Sequence, residues 1–170
     1  FYGEKHWTVQ AARAQLEFEL HGGFERHRRP RTFEALHRSP ALTAAAAGAG
    51  ANMILRRAAF ALTGGFPEHL GPGTPARSSD DKYFFYELLR RGRRIRHDPA
   101  RGIWHRHRAD EAGLKRIFND YGISEFAWTT EILRRDHDLG ALGLWRWWAR
   151  HFAGDLRRGT RPALTWEEVR

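Results

Sequence analysis

Cysteine is absent from the 170-residue sequence, and so are long apolar runs. Without cysteine the chain has neither a disulfide framework nor a thiolate metal site. No run of 18 apolar residues and no secretory signal pattern occurs, so nothing in the sequence predicts a membrane span or export. From these absences we expect a cytoplasmic protein.

Lysine and methionine are scarce, and each scarcity has a consequence. Only three lysines occur, so arginine carries almost all of the formal net charge of +9. A basic chain is attracted to polyanions such as nucleic acid or an anionic membrane, although arginine-rich composition also results from GC-rich coding. The sequence starts at Phe1 and its only methionine is Met53, so we expect that translation began upstream.

Hydrophobic residues make up 41% of the chain, which predicts a folded globule rather than a disordered tail. Apolar periodicity and turn residues locate the elements. Helices are expected at residues 9–20, 57–62, 80–91, around 114–121 and at 141–157. Short strands are expected at 53–55 and on either side of Pro99, and the polar segment 25–40 is expected to be a connection. The fold class is therefore α/β, and so few strands for so many helices suggest part of a larger α/β domain.

Two adjacent aspartates, Asp80 and Asp81, begin an apolar-faced helix behind a loop rich in glycine and proline. Ser78 and Asp81 have the spacing of a capping box, and acidic side chains in a first turn are stabilised by the helix dipole. The position also suits a general base, because a carboxylate on a rigid element beside a cleft can accept a proton from a hydroxyl. Both interpretations stay open, since one aspartate can cap while the other reacts.

Five short pieces of sequence follow one another between residues 48 and 110. They are Gly50-Ala51-Asn52, Gly64-Gly65-Phe66, the LGPGTPA loop, the acidic pair and Trp104-His105. In order and spacing this stretch resembles the acceptor-side half of family 2 glycosyltransferases, which are inverting enzymes of the GT-A fold. The resemblance implies a partial GT-A domain, that is, a Rossmann-like nucleotide-diphospho-sugar transferase. It implies transfer of a sugar from a nucleotide-sugar donor to an acceptor hydroxyl with inversion.

The resemblance also implies roles for individual residues. In that family the acidic pair is usually Glu-Asp, and its second member is the general base. Asp81 is therefore expected to take the proton of the acceptor hydroxyl, and Asp80 to contact the acceptor. Five further residues are expected around the substrates: Gly50, Ala51 and Asn52 beside the pocket shared by donor and acceptor, and Gly73 and Thr74 in the loop over the acceptor.

A histidine pair follows in the sequence IWHRHR. Strand alternation puts His105 and His107 on one face, and imidazole suits several divalent ions, although an exposed basic strand has the same pattern. The resemblance implies that His105, which follows Trp104, contacts the metal–diphosphate group. The implied cofactor is Mg²⁺ or Mn²⁺, bound mainly by residues upstream of Phe1.

The resemblance divides the chain into residues 1–110, the acceptor-side part of a GT-A domain, and residues 111–170, a helical C-terminal extension. It places the nucleotide-binding half, with its Asp-x-Asp metal motif, before Phe1. Asp136-His137-Asp138 has these letters but lies downstream in a polar helical stretch, so we do not assign it that role. Without most of the donor site, the 170 residues alone are expected to transfer no sugar.

The helix at 141–157 sets Trp145 and Trp148 against Arg146 and Arg150, a composition typical of helices at a membrane surface. Packing of these tryptophans onto the rest of the protein is the alternative. A saccharide or lipid-linked acceptor, as the resemblance implies, fits peripheral contact with the inner face of a membrane. Two rival functions stay open: a basic module that binds single-stranded nucleic acid by stacking, and a non-catalytic scaffold of glycosyltransferase ancestry.

Overall fold

A computed structural model of the chain describes residues 30–35, 38–48, 50–98 and 110–157, with the side chains of residues 111, 114, 115, 118 and 151–157 excepted. The described part is a mixed α/β structure, as predicted. Its elements in chain order are strand β1 (Arg31–Phe33), helix α1 (Pro40–Ala45), helix α2 (Arg57–Thr63), helix α3 (Asp80–Arg90), strand β2 (Ile95–His97), helix α4 (Glu111–Asp136) and helix α5 (Gly140–Arg157).

The two strands form one antiparallel pair, in which Phe33 lies opposite Ile95. Strand β2 confirms the strand predicted before Pro99. Strand β1 corrects the prediction that segment 25–40 is a connection throughout. A strand of three residues is too short to give a periodic signal in the sequence. Strand β1 is recognised only by its pairing with β2 and by the burial of Phe33.

The segment from Met53 to Leu55 is not a strand, contrary to the prediction. Met53 and Leu55 pack against the core, while Ile54 between them is 91% exposed. The side chains therefore alternate as they would in a strand. The sheet found among the described residues contains β1 and β2 only, so this segment has no ladder partner there, and pairing rather than alternation makes a strand.

Helix α3 lies at the centre of the described fold. Every residue from Tyr83 to Leu89 is buried, which is the pattern of a helix covered on all sides. On one side Phe84 stacks on Phe66, with 4.6 Å between ring centroids, and packs beside Phe60 of α2. On another side α1 contacts α3 through small side chains such as Ala41, which is fully buried.

Helices α4 and α5 confirm the long helical region and the terminal helix that the sequence predicts. Between them Asp138 accepts hydrogen bonds from the N–H of Gly140 at 2.9 Å and from the N–H of Ala41 at 3.0 Å. It also accepts one from the hydroxyl of Ser39 at 2.6 Å, 99 residues away in sequence. One carboxylate thus satisfies N–H groups at the starts of α1 and α5.

Two predicted elements, the helix at 9–20 and the strand containing Trp104 and His105, lie outside the described residues. Within the described ranges no helix combines the length and the apolar character needed to cross a bilayer.

Candidate active site

Asp81 lies in the first turn of α3, and two backbone amides hold its carboxylate. Oδ2 accepts a hydrogen bond from the N–H of Gly50 at 2.5 Å, and Oδ1 accepts one from the N–H of Lys82 at 2.8 Å. The contact with Gly50 spans 31 residues of sequence. Each carboxylate oxygen keeps a second acceptor position, and the residue is only half-buried, so the group retains acceptor capacity toward a hydroxyl.

Glycine backbone lies against both aspartates. A Cβ at Gly50 would lie 2.7 Å from the Cβ and 2.9 Å from Oδ2 of Asp81. A Cβ at Gly71, where φ is +98°, would lie 3.0 Å from the Cγ of Asp80. At Gly50 these distances are shorter than real Cβ contacts, and at Gly71 the contact is tight and the positive φ itself disfavours a side chain, so both positions favour glycine. Gly50 was among the predicted site residues, whereas Gly71 was missed because its partner depends on the course of the loop.

The loop from 66 to 79 is held in shape by its own hydrogen bonds, as its glycines and prolines predict. The N–H of Gly71 donates to the carbonyl of Ser78 at 3.1 Å. The hydroxyl of Thr74 donates to the carbonyl of Gly71 at 2.9 Å and accepts from the N–H of Ala76 at 3.2 Å. The Thr74 hydroxyl therefore serves the loop itself.

The capping box predicted from Ser78 and Asp81 is not formed. The N-cap is Ser79, and its hydroxyl donates to Ser124 of α4 at 3.0 Å instead of capping the helix. Ser79 has φ +69° and Arg77 has φ +70°, both in the left-handed region. This backbone conformation is costly for residues other than glycine and occurs preferentially at functional sites. Asp81, not Ser78, satisfies a first-turn N–H.

Lys82 couples the acidic turn to α4. Its ammonium group pairs with Glu125, which also accepts a hydrogen bond from the indole N–H of Trp128 at 3.1 Å. Burial lowers the pKa of Lys82, and the negative charge of Asp81 raises it. Burial has the larger effect, so the pKa is about 8. The protonation of Lys82 is therefore linked electrostatically to the charge of Asp81. Sequence reasoning missed this residue, because a lysine after two aspartates carries no distinctive signal.

An open groove of about 620 Å³ lies between the same loop and α4. Gly73 and Thr74 border it on the loop side, and Ile123 and Ala127 border it on the α4 side. At its rim His69 Nε2 lies 2.6 Å from Oε2 of Glu131. The aspartate pair is not among the residues that line this groove.

The structure therefore divides the predicted substrate residues into two places. Gly50 meets Asp81, and the exposed Ala51 and Asn52 continue the chain beside them. Gly73 and Thr74 instead belong to the groove. His105 lies outside the described residues. The described ranges contain no group of three or more histidine, aspartate or glutamate side chains arranged to hold a metal ion.

A second set of carboxylates, the buried Glu87 and the half-buried Asp136, lies between α3 and α4. Glu87 pairs with three arginines, at 3.0 Å for Arg90 and more closely for Arg91 and Arg135. Asp136 accepts a hydrogen bond from Tyr86 at 2.8 Å.

Two pKa values report on these contacts. Burial and the hydrogen bond to Asp136 raise the pKa of Tyr86. Burial acts to raise the pKa of Asp136, but hydrogen bonds from Arg135 and Tyr86 outweigh it, so the net pKa is lowered. These directions describe a fixed structural network in which every carboxylate already has its partners.

Comparisons with known proteins give no match: no family model, no curated protein and no solved structure is significantly similar to this chain.

Proposed function

We propose that the chain is the acceptor-side part of an inverting glycosyltransferase of the GT-A type, with Asp81 as its general base. The observation that carries the proposal is the hydrogen bond between Gly50 and Asp81. From the resemblance to family 2 enzymes we expect Gly50 and Asp81 to lie at one pocket, although 31 residues separate them. Capping of α3 alone would not require an amide from a distant loop.

The surroundings of the acidic pair support the same proposal. In the described part of the chain, neither Asp80 nor Asp81 forms an ion pair, whereas Glu87 and Asp136 on the neighbouring network do. The loop that precedes the pair is held by internal hydrogen bonds and has left-handed conformations at Arg77 and Ser79. A carboxylate on a rigid support that forms no direct ion pair, because the neighbouring Lys82 is paired with Glu125, has the properties that a general base needs.

The proposed reaction is a single displacement. As the acceptor oxygen bonds to the anomeric carbon, its proton passes to a carboxylate oxygen of Asp81. The bond from the anomeric carbon to the nucleoside diphosphate breaks, and the configuration inverts. A carboxylate is a weak base, and it suffices here because the nucleoside diphosphate is a good leaving group.

Among the described residues no group of three or more histidine or carboxylate side chains could hold a metal ion. In the proposal Mg²⁺ or Mn²⁺ is held by residues upstream of Phe1 together with His105. When bound, such an ion would neutralise charge on the leaving diphosphate. The donor is a nucleotide-sugar, and the acceptor is a saccharide or a lipid-linked saccharide.

The test compares two neighbouring carboxylates in the complete translation product that contains these residues. With a panel of nucleotide-sugars, Asp81→Asn should lower the rate of nucleoside diphosphate release by about 10²–10⁴-fold, the usual contribution of a general base. Asp80→Asn serves as the matched control and should lose less, because an acceptor contact affects KM more than kcat. Circular dichroism and donor binding should be unchanged in both variants.

Two outcomes would contradict the proposal. If Asp81→Asn kept its full rate, the scaffold alternative would replace catalysis by this residue. If the 170-residue chain alone transferred sugar in the presence of manganese, the expectation that the donor half lies upstream would be wrong.

A further inference from the structure

Helix α5 has an inner and an outer side with different chemistry. On the inner side Ala141 is fully buried. Trp145 donates from its indole N–H to the hydroxyl of Thr129 on α4 at 2.8 Å, and its ring packs beside Phe126. Trp145 therefore packs onto the rest of the protein, and it is not part of an exposed tryptophan face.

Four of the exposed residues on the outer side form what we call the α5 outer face: Leu142, Arg146, Trp147 and Arg150. Leu142, Arg146 and Arg150 follow one another at intervals of four, so they form one stripe along the helix. Leu142 is 42% exposed and Trp147 is 45% exposed. Large apolar side chains beside arginines, on the side turned away from the core, require an explanation.

The surroundings of this face extend its apolar character. Leu139, just before α5, is 69% exposed. The exposed Leu42 of α1 lies close to Gly143 of α5. A Cβ added to Gly143 would be 3.4 Å from the side chain of Leu42. No acidic residue occurs between Asp138 and Asp155, and Asp138 is engaged at the starts of α1 and α5.

We propose that the α5 outer face docks on the surface of a membrane that contains anionic lipid. The 18-residue helix, about 27 Å long, lies flat on the surface. Its arginines pair with lipid phosphates, Trp147 enters the headgroup region, and the leucines contact the upper acyl chains. The charge of the face is complementary to an anionic surface, which attracts each arginine independently of sugar transfer. The inference therefore does not rest on the proposed function.

The test is co-sedimentation of the full 170-residue chain with vesicles of phosphatidylcholine alone and of phosphatidylcholine mixed with phosphatidylglycerol. We expect binding to the mixed vesicles only, weakened by high salt because exposed charges are screened. Arg146→Glu with Arg150→Glu should lower the partition coefficient by roughly tenfold or more. Trp147→Ser should lower it by about fivefold, because an apolar contact is lost.

The matched control reverses two other exposed arginines, Arg93→Glu with Arg94→Glu, on the turn that links α3 to β2. It changes the net charge by the same amount, so it should reduce binding much less if the site is the α5 outer face. Far-ultraviolet circular dichroism should be unchanged for all three variants, because each replaces exposed side chains.

Three results would overturn the inference: equal binding to both kinds of vesicle, equal loss in the two arginine pairs, or no binding to either vesicle. If the α5 reversal abolished binding to a single-stranded oligonucleotide but left vesicle binding intact, the face would be a nucleic-acid surface instead.

Discussion

Asp81 and Glu87 lie six residues apart on α3, and their surroundings are opposite. Glu87 is buried, and three arginines neutralise its charge. Asp81 is half-buried, meets backbone N–H groups of Gly50 and Lys82, and forms no ion pair with the described residues. A carboxylate that is enclosed by fixed cations supports the fold, whereas Asp81, whose hydrogen bonds come from amides and whose neighbour Lys82 is paired with Glu125, keeps acceptor capacity.

The largest effect that separates the two carboxylates is expected in stability. Glu87→Ala removes the buried partner of three partly exposed guanidinium groups, of which Arg135 keeps Asp136, so it should lower the free energy of unfolding by about 2–3 kcal/mol. Asp81→Asn loses at most part of two hydrogen bonds, which is worth about 1 kcal/mol. Urea denaturation followed by circular dichroism measures both, and Glu87→Gln, which keeps the volume, replaces the alanine variant if that does not fold. Equal losses would remove the distinction.

Substitution of Gly50 tests the contact between Gly50 and the Asp81 carboxylate. In Gly50→Ala the added methyl group would overlap Asp81, so the carboxylate or the loop must move, at a cost of about 1–3 kcal/mol. We expect the amide resonances of residues 50 and 82 to shift together, because one carboxylate binds both. A shift confined to residue 50 would show that the carboxylate does not bridge them.

The buried network predicts a specific pH dependence. The folded-state pKa of Asp136 is lowered from its ordinary value of 3.8, so its contribution to stability is present above pH 3.8 and is lost as the pH falls below that value. Asp136→Asn should therefore cost about 1–2 kcal/mol at neutral pH. It should also make the loss of stability below pH 3.8 shallower, which thermal unfolding across that range measures. An unchanged acid slope would contradict the assignment.

The smallest expected effect comes from a glycine that has no role at either carboxylate. Gly122 lies inside α4, and no atom lies within 4 Å of a Cβ placed there. Gly122→Ala should stabilise the protein by about 0.5–1 kcal/mol, because alanine loses less backbone entropy in a helix. It is the matched control for Gly50→Ala, because the same added methyl group should raise the free energy of unfolding at residue 122 and lower it at residue 50. Chemical denaturation measures both changes.

Local signals predicted most of the helices. Gly64 ends α2 with φ +83°, as a glycine after an apolar-periodic segment indicates. The burial of Tyr86 and Glu87 was not predictable, because periodicity assigned only part of α3 to the core, and the covering comes from α1 and α4.

Some residues of the candidate site were predicted from the sequence, but their contacts were not. The acidic pair and Gly50 were recognised by resemblance, whereas the amide that meets Asp81 is determined by the course of the chain over 31 residues. The capping box failed for a similar reason. Ser79 has a tertiary partner in Ser124, and such a partner cannot be read from a spacing of three residues.

The shared carboxylate of Asp138 has a practical consequence for anyone who divides this polypeptide. Deleting everything after Asp110 would remove the acceptor that Ala41 and Ser39 use, so the damage would reach the opposite end of the described chain. Fusion partners and truncation libraries should therefore retain Asp138 together with both helix starts. Two co-expressed halves, separated after Asp98, are expected to reassociate instead of behaving as independent modules.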